Sequence, residues 1–381
     1  MTERRPPIQR ASNGDTPIQF VDLKAQFSAY EGGIRSQIEE VFQSTRFILG
    51  PKGEELERQL AAFTGAGYAF GCSSGTDALL LALMAVGVRA GDEVITTPFT
   101  FVATAAAVSL LGATPVFVDI DPSTYNIDPG RIPAAVTSRT RAVIAVSLFG
   151  QCAAMEEIAA VCGGRDISIV EDACQSLGAS RNGRMSCNFP KIGVTSFFPS
   201  KPLGCYGDGG MVFTSDGDVA DRIRGLRNHR QWERYRHRMV GINGRLDEIQ
   251  AAVLLGKFPH FRRELAIREE VGRRYDENIG DVVTVPAITR GNTHVYAQYS
   301  IRTPRRDELA RHLKGVGIPT AIHYPLPLHL QEAYRYLGYG EGAFPEAEAG
   351  SREILSLPMS AFLSREVHEE IIRRVREFFR L

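Results

Sequence analysis

No charge of either sign predominates in this sequence. Its 381 residues include 44 Lys and Arg and 44 Asp and Glu, so the formal net charge is zero. A globally basic field, which would draw a protein to nucleic acid or to an anionic membrane, is therefore excluded. We expect neither nucleic acid nor a membrane among the partners.

Cysteine is present but lacks the spacing of a metal or disulfide framework. The six cysteines, at 72, 152, 162, 174, 187 and 205, form no C-x-x-C pair, and no histidine cluster accompanies them. This pattern favours buried free thiols in a reducing compartment over a zinc site or disulfides. We predict no metal site.

A secretory signal and an unbroken membrane-spanning run are also missing. The first residues, MTERRPPIQRASNGDTP, are charged and contain no apolar segment, which predicts a flexible tail over residues 1–17. The longest apolar stretch, FTFVATAAAVSLLGATPVFV, is interrupted by GATP, which predicts a helix, a turn and a strand within a core. We therefore expect a cytoplasmic protein.

What the sequence does contain is an alternation of strand-length apolar runs and helical patterns. The runs EVITT, PVFVDI, AVIAVSLFG, ISIVED, GVTSFF and MVFTS are mostly apolar on both faces, as buried parallel strands are. Helical stretches such as TDALLLALMAVGV and AAMEEIAAVCG lie between several of them. This alternation predicts an α/β, doubly wound, mostly parallel sheet with helices on both faces, and its last two strands can be antiparallel.

The pattern changes near residue 250. RLDEIQAAVLLGKF and RRELAIREEVGRRYDENI predict long amphipathic helices, and a strand AQYSIRT and helices RDELARHLKGVG and REVHEEIIRRVREFF follow. One core accommodates roughly 250–300 residues, so two domains are expected. We predict a large α/β domain over 18–250 and a smaller α+β domain over 251–381 that includes the linking helices.

Three short stretches follow predicted strands, where open α/β sheets bind ligands. In CSSGTDALLLAL, Gly75 and Thr76 stand at a helix start, where free N–H groups and the helix dipole form a phosphate cup. An ordinary helix start capped by Thr76 or Asp77 is the alternative.

The other two stretches carry an acid and an amine. IVEDACQS ends a strand with Glu171 and Asp172, and a carboxylate there can keep a heterocyclic nitrogen protonated. TSFFPSK then presents Ser196 and Lys201, and an amine among apolar groups can form a Schiff base with an aldehyde. A salt-bridged acid and a surface lysine in a strand turn are the alternatives. Together, a phosphate cup, an acid and a lysine in this order match the needs of pyridoxal 5'-phosphate (PLP).

Eight motifs, in order, resemble the DegT–StrS family of nucleotide-sugar aminotransferases, which have the fold-type I architecture of PLP-dependent transferases. The resemblance runs from about residue 19 to the C-terminus. Its motifs are GTDALLLAL, GDEVITTPFTFVATAAAV, PVFVDIDPSTYNIDP, GQCAAMEEI, VEDACQSLGA, SFFPSKPLGCYGDGG, GINGRLDEIQAA and HYPLPLHLQ.

The resemblance implies a role for each matching residue. It implies that Lys201 binds the cofactor covalently and acts as acid–base catalyst, and that Asp172 pairs with the pyridine nitrogen. It further implies that Gln175 contacts the ring hydroxyl and that Phe101 stacks on the ring. The implied phosphate ligands are Gly75, Thr76, Ser196 and, from the neighbouring subunit, Asn243. The implied substrate contacts are Phe47, Ser200, Arg245, His323 and Tyr324. The sequence departs from the family pattern at Cys174, where relatives usually have Ala, and at Gly244, where they often have Ser.

The function that the resemblance implies is transfer of an amino group from L-glutamate, which leaves as 2-oxoglutarate, to a nucleotide-linked ketosugar. A homodimer with shared active sites is expected. The subgroup resembled makes 3-amino sugars for lipopolysaccharide O-antigens from UDP-2-acetamido-2-deoxy-3-keto-D-glucuronate, whose carboxylate Arg245 can hold bidentately. Three alternatives remain: a dTDP-4-keto-6-deoxyhexose aminotransferase, a sugar dehydratase, which Lys201 disfavours, and a non-catalytic regulatory protein.

Overall fold

The structure is a computed structural model that describes residues 17–229, 231–233, 235–237 and 239–380. Except for its last residue, the tail predicted over residues 1–17 lies outside this range. Within the part described, all six cysteines are free thiols. None of the helices in the same part is both long and apolar enough to cross a lipid bilayer.

The helices and strands follow the predicted alternation. The α-helices described are α1 (Leu23–Ser44), α2 (Pro51–Thr64), α3 (Gly75–Ala85), α4 (Ala103–Leu110), α5 (Ile132–Ala135), α6 (Met155–Cys162), α7 (Gly217–Leu226), α8 (Glu248–Ile279), α9 (Arg306–Gly315), α10 (Pro345–Glu353) and α11 (Arg365–Arg380). The strands are β1 (Tyr68–Cys72), β2 (Glu93–Thr96), β3 (Thr114–Phe117), β4 (Thr140–Val146), β5 (Ser168–Asp172), β6 (Ser180–Arg181), β7 (Arg184–Met185), β8 (Ile192–Ser196), β9 (Gly210–Thr214), β10 (Gln231–Glu233), β11 (Arg236–His237), β12 (Tyr299–Arg302) and β13 (Ile354–Leu357).

A seven-stranded sheet of order β1-β9-β8-β5-β4-β2-β3 forms the centre of the molecule. β3, β2, β4, β5 and β8 run parallel, and β9 is antiparallel to both of its neighbours. The predicted mostly parallel α/β sheet, with an antiparallel final pair, is therefore confirmed. β1 was missed by the strand pattern, because its first residue is exposed and YAFGC is short.

The direction of the strands decides where the candidate residues meet. Because β1 and β8 both pair with β9 in antiparallel register, their carboxyl ends lie at the same end of the sheet. Both Cys72 and Ser196 are opposite Gly210. Asp172 at the end of β5 is opposite Val194 of β8. The loops that follow β1, β2, β5 and β8 therefore meet at one end of the sheet, where these strands have their carboxyl ends.

Helix α8 joins this sheet to the C-terminal elements. The two adjoining helical patterns form one continuous helix of 32 residues that includes Pro259. Gly256 permits its close packing on α1, since a Cβ there would lie 2.7 Å from the Cα of Ile34. The predicted domain boundary at 250/251 falls inside α8, and the C-terminal half of the helix packs in a core with β12, β13, α9 and α11. The two-domain division stays a prediction.

Candidate active site

The start of α3 forms a compact cup against the ends of β8 and β9. Ser74 is the N-cap residue, and its hydroxyl accepts the N–H of Asp77 at 3.0 Å. A Cβ on Gly75 would lie 2.7 Å from the Cβ of Ser196, so only glycine allows this approach. The first N–H groups of a helix have no partner within the helix. Gly75 and Thr76 can therefore present their N–H groups to an anion beside the Ser196 hydroxyl.

The cap itself corrects one alternative from the sequence. Neither Thr76 nor Asp77 caps the helix, since Ser74 occupies that position. The Asp77 carboxylate accepts a short hydrogen bond from the Ser73 hydroxyl. Ser74 was overlooked because the pattern SSGTD contains four residues able to cap, and only the backbone shows where the helix begins.

Asp172 ends β5 as a buried carboxylate that two groups hold in place. Thr104 at the start of α4 donates its hydroxyl to Oδ2 at 2.8 Å, and the N–H of Cys174 donates to Oδ1 at 3.2 Å. Thr104 was missed by sequence reasoning, although it lies in the motif PFTFVATAAAV. Its contact spans 68 residues and depends on where the tertiary fold brings α4 relative to β5.

Lys201 lies in a tight turn directly after β8. Its N–H donates to the carbonyl of Phe198 at 2.8 Å, and the N–H of Cys205 closes the turn onto Phe197 at 2.7 Å. A Cβ on Gly204 would lie 2.4 Å from the carbonyl oxygen of Pro199, so the turn requires glycine there. Ser200, in the same turn, is half-buried like Lys201. The charge of Lys201 acts to lower the pKa of both the Cys174 thiol and the His323 imidazole, so its amine lies near both groups.

Gln175, Tyr324 and Phe101 form a connected group on the same edge. The side-chain oxygen of Gln175 accepts the N–H of Phe149 at 2.8 Å, and its Nε2 donates to the Tyr324 hydroxyl at 3.1 Å. The rings of Tyr324 and Phe101 are 6.3 Å apart. Phe101 is 56% exposed, whereas Phe99 nearby is fully buried, so Phe101 offers a free aromatic face.

His323 completes this group from the C-terminal part of the chain. Its Nδ1 is 2.8 Å from the Ser356 hydroxyl. Burial, with the charge of Lys201, lowers the pKa of His323 to about 4, so the ring is neutral at pH 7. A neutral imidazole can accept as well as donate a hydrogen bond, which suits a polar substrate.

A second group gathers three of the expected residues around the start of α8. The N–H of Glu248 donates to the carbonyl of Phe47 at 3.0 Å. Asn243 is exposed and pairs with Asn228, whose side chain also accepts a 2.9 Å hydrogen bond from Arg245. The Arg245 Nε is buried and has no hydrogen-bond partner among residues 17–229 and 239–380. These contacts are separate from those of the Lys201 group, which consists of Lys201, Asp172, Gly75, Ser196, Phe101 and Cys174.

The residues of the Lys201 group fit PLP. They supply an amine at Lys201, an acid at Asp172, N–H and hydroxyl donors around Gly75 and Ser196, and an exposed ring at Phe101. Cys174 lies within this group, since a Cβ on Gly75 would approach its sulfur to 3.1 Å. Burial, reinforced by Asp172, raises the pKa of the Cys174 thiol well above its usual range, so the thiol is protonated and adds no charge.

Comparison with known proteins gives a consistent result. Residues 30–376 match the DegT/DnrJ/EryC1/StrS aminotransferase family. The chain is 48% identical over 347 residues to the UDP-2-acetamido-2-deoxy-3-oxo-D-glucuronate aminotransferase of Pseudomonas aeruginosa, covering 91% of this chain and 96% of the relative. It is 46% identical over 367 residues to a protein named pleiotropic regulatory protein from Geobacillus stearothermophilus, covering 95% and 99%.

Two solved structures are similar over nearly the whole chain. A DegT DnrJ EryC1 StrS aminotransferase from Brucella abortus superposes with a TM-score of 0.92 at 42% identity, covering 95% of this chain and 99% of that one. The PLP form of the sugar aminotransferase Spr1654 from Streptococcus pneumoniae superposes with a TM-score of 0.86 at 25% identity, covering 92% and 96%.

Proposed function

The chain belongs to the DegT/DnrJ/EryC1/StrS aminotransferase family, and from this premise we propose that it is a PLP-dependent aminotransferase acting on a UDP-linked 3-keto sugar. The amino donor is L-glutamate, and the sugar is UDP-2-acetamido-2-deoxy-3-keto-D-glucuronate. The observation that carries the proposal is the convergence of Lys201, Asp172, Gly75 and Ser196 at one edge of the sheet. The relative that is 48% identical, named for this substrate, supports the choice of sugar.

Each residue of the site has a task that follows from its position. When bound, PLP supplies an electron sink for the electrons of the bond broken at the carbon that carries nitrogen. Gly75, Thr76 and Ser196 hold its phosphate, and Asp172, oriented by Thr104, keeps its ring nitrogen protonated. Lys201 would attach it covalently and, once its amine is free, would take up the proton from the carbon that carries the nitrogen and return it in the reverse half of the transfer.

Gln175 and Tyr324 hold the ring plane. The Gln175 side chain is fixed at both ends by Phe149 and Tyr324, so the remaining hydrogen of its amide can donate only in one direction. We propose that this donor meets the ring hydroxyl, and that Phe101 covers the ring face. His323 and Ser200 are proposed to contact the substrate beside Lys201.

We also propose that the protein acts as a homodimer and that Asn243, Arg245 and Phe47 serve the partner's site. Apolar side chains surround this group on the surface: Phe47 is 45% exposed, Ile48 45%, Met239 49% and Val240 87%. Exposed apolar patches of this kind mark interaction surfaces. A second copy of the chain would cover them and bring Asn243 to a phosphate cup.

The test is amination of the purified substrate. Protein, PLP and L-glutamate are incubated with UDP-2-acetamido-2-deoxy-3-keto-D-glucuronate, and the release of 2-oxoglutarate and of the 3-amino sugar is measured. Lys201→Ala should lose several orders of magnitude in turnover, since it removes the attachment and proton-transfer group. Borohydride reduction followed by peptide mapping should place the cofactor on Lys201, and a label elsewhere would overturn the assignment.

A regulatory, non-catalytic role is the second candidate, favoured by the name of the relative that is 46% identical. Retention of Lys201, Asp172, Gln175 and Ser196 argues against it, because a binding protein needs none of these groups in reactive positions. Binding of PLP without turnover of any UDP- or dTDP-linked ketosugar would support that role. Release of 2-oxoglutarate would exclude it.

A further inference from the structure

Side chains of helix α8 contact the turn that carries Lys201. This Lys201 turn comprises residues 197–207. Its internal backbone hydrogen bonds join Lys201 to Phe198 and Cys205 to Phe197, and the Cys205 thiol donates to the carbonyls of Phe197 and Gly207. Backbone that leaves a strand and returns to the next one within so few residues needs outside support to present one side chain in a fixed position.

Two side chains of α8 supply that support. The Gln250 Oε1 accepts the N–H of Tyr206 at 2.9 Å, and its Nε2 lies 3.4 Å from the Tyr206 carbonyl oxygen. One side chain therefore contacts both backbone groups of Tyr206. Lys257 donates a short hydrogen bond to the carbonyl of Gly204 and lies 5.2 Å from the centre of the Tyr206 ring. Residues 250 and 257 are two helical turns apart, so both face the Lys201 turn.

Lys257 is an unusual residue for this position. Its side chain is almost fully buried, at 1% exposure, and lysine is rarely buried without a partner of opposite charge. Glu264 lies two turns further along α8, where Gln26 of α1 donates to both of its oxygens at 3.0 and 3.2 Å. A methionine would fill the same space without the cost of removing an ammonium from water.

We propose that Lys257 is a positioning residue of the active site: its ammonium, together with Gln250, fixes the Lys201 turn so that the Lys201 amine points at the substrate. The proposal deepens the proposed function and rests on it for the role of Lys201. The alternative is that Lys257 only joins α1 to α8 through Glu264. The two explanations predict different results when the ammonium is removed. The proposal predicts faster hydrogen exchange in the Lys201 turn, whereas the alternative predicts faster exchange spread over α1 and α8.

Hydrogen exchange of the full-length protein, with PLP bound, separates them. Lys257→Met should speed exchange of the Lys201 and Cys205 amides by at least about tenfold, while peptides of α1, α3 and β5 exchange as before. We expect kcat to fall about tenfold while the KM for L-glutamate changes less than twofold. Lys257→Arg should restore much of the protection, since it keeps the donor and the charge.

The matched control is Arg262→Met, which removes an exposed cation of α8 that lies over the Phe63 ring, 4.6 Å from its centre. It should behave as wild type in exchange and in turnover. If Lys257→Met folds poorly, Gln250→Leu tests the same support from an intermediate-exposure position. It should loosen the Lys201 turn alone.

The pH dependence provides a second readout. Burial lowers the pKa of Lys257 to about 8, opposed by the charge of Glu264. Exchange of the Lys201 turn, corrected for its intrinsic rate, should therefore rise above about pH 8 in wild type and stay nearly level in Lys257→Arg. The charged and titratable groups near this ammonium are Glu264 and Arg268 of α8 and Cys205 and Tyr206 of the turn. Tyr30 of α1, which stacks on His260, hydrogen-bonds Glu264.

Faster exchange spread evenly over α1 and α8, or an unchanged Lys201 turn in Lys257→Met, would overturn the proposal. These exchange results do not depend on the identity of the substrate. Absence of wild-type turnover would refute the proposed function and leave the support of the turn to be judged by exchange alone.

Discussion

At the scale of single residues, the two adjacent acids at the end of β5 have opposite surroundings. Asp172 faces Thr104 and the candidate cofactor site, whereas Glu171 is fully buried and accepts hydrogen bonds from Ser147, Ser186 and the N–H of Cys187 at 2.7–2.9 Å. Burial raises the pKa of the Glu171 carboxyl despite these donors. We infer that Asp172 serves the proposed cofactor site, whereas Glu171 stabilises the fold.

We expect Asp172→Asn to lower kcat by roughly 10²–10³-fold, the range for loss of one preorganised electrostatic group, while the protein still binds PLP. Glu171→Gln is the matched control. It should leave kcat within about twofold and lower the free energy of unfolding by about 1–3 kcal/mol, because one buried acceptor is lost. Steady-state kinetics and urea unfolding measure both, and equal losses of kcat in the two variants would contradict the division.

Arg245 can be tested with two sugars that differ only at C6. Arg245→Leu should cost the uronate about 2–5 kcal/mol in kcat/KM, as expected for truncation of a buried charge pair, and should cost UDP-2-acetamido-3-ketoglucose, which lacks the carboxylate, much less. Asn228→Ala removes the loop contact of Arg245 and is the control. If Arg245 only orders its loop, both variants would affect both sugars equally.

At the scale of elements, the junction of α3 with β9 determines the shape of the proposed phosphate cup. A Cβ on Gly210 would lie 2.4 Å from the carbonyl oxygen of Ser74 and 2.8 Å from the nitrogen of Gly75. The helix start therefore rests directly on the strand. Any side chain at position 210 would push the N–H groups of α3 away from Ser196.

Gly210→Ala is expected to raise the Kd for PLP and to lower the free energy of unfolding by about 1–3 kcal/mol, the usual cost of overpacking. Gly217→Ala is the matched control, since a Cβ at the start of α7 meets nothing within 4 Å. Cofactor titration and urea unfolding provide the measurements. Normal PLP affinity in Gly210→Ala would show that the cup tolerates displacement.

At the scale of the whole molecule, the proposed dimer predicts complementation between inactive variants. Lys201→Ala is mixed with a variant that carries both Asn243→Ala and Arg245→Ala. Each hybrid dimer should contain one complete site, so about one quarter of wild-type activity should return. Mixing Lys201→Ala with Asp172→Asn is the control and should restore nothing, because both residues belong to one subunit's site. Failure to recover activity after verified subunit exchange would count against shared sites.

Buried histidines make the stability of the molecule sensitive to acid. Burial lowers the pKa of His294 to about 3, and it lowers those of His323 and His368 to about 4. The unfolded chain therefore binds more protons than the folded one between about pH 4 and 6.5, and stability is lost as pH falls through that window. Each histidine contributes at most about 1.4 kcal/mol per pH unit.

His368→Leu tests this contribution, because the His368 ring is fully buried against Tyr275 and neither ring nitrogen has a hydrogen-bond partner within residues 17–229 and 239–380. Urea unfolding between pH 4 and 7 should show a shallower loss of stability in the variant than in wild type. The difference isolates the histidine from the carboxylates that titrate in the same range. Identical slopes would contradict the assignment.

Local sequence patterns predicted most of the fold and the family. The strand-length apolar runs, the helical periodicities and the antiparallel final pair at the glycine turn are confirmed, because each depends on residues close together in sequence. The family is confirmed as well, and a similar structure is a PLP form. β1 was missed, and the continuity of α8 through Pro259 was not foreseen, because packing on neighbouring elements determines both.

The sequence by itself determined the order of the reactive groups: a helix start at Gly75, an acid at the end of a strand and Lys201 in the turn after the next one. Alternation along the strand left open which of Glu171 and Asp172 faces the site, and only the resemblance to the family pointed to Asp172. Nor did the sequence indicate Thr104 or Lys257, whose contacts with Asp172 and Gly204 span 68 and 53 residues. Only the packing of α4 and α8 against the sheet decides those contacts, because hydrogen bonds between distant segments leave no periodic signal in the chain.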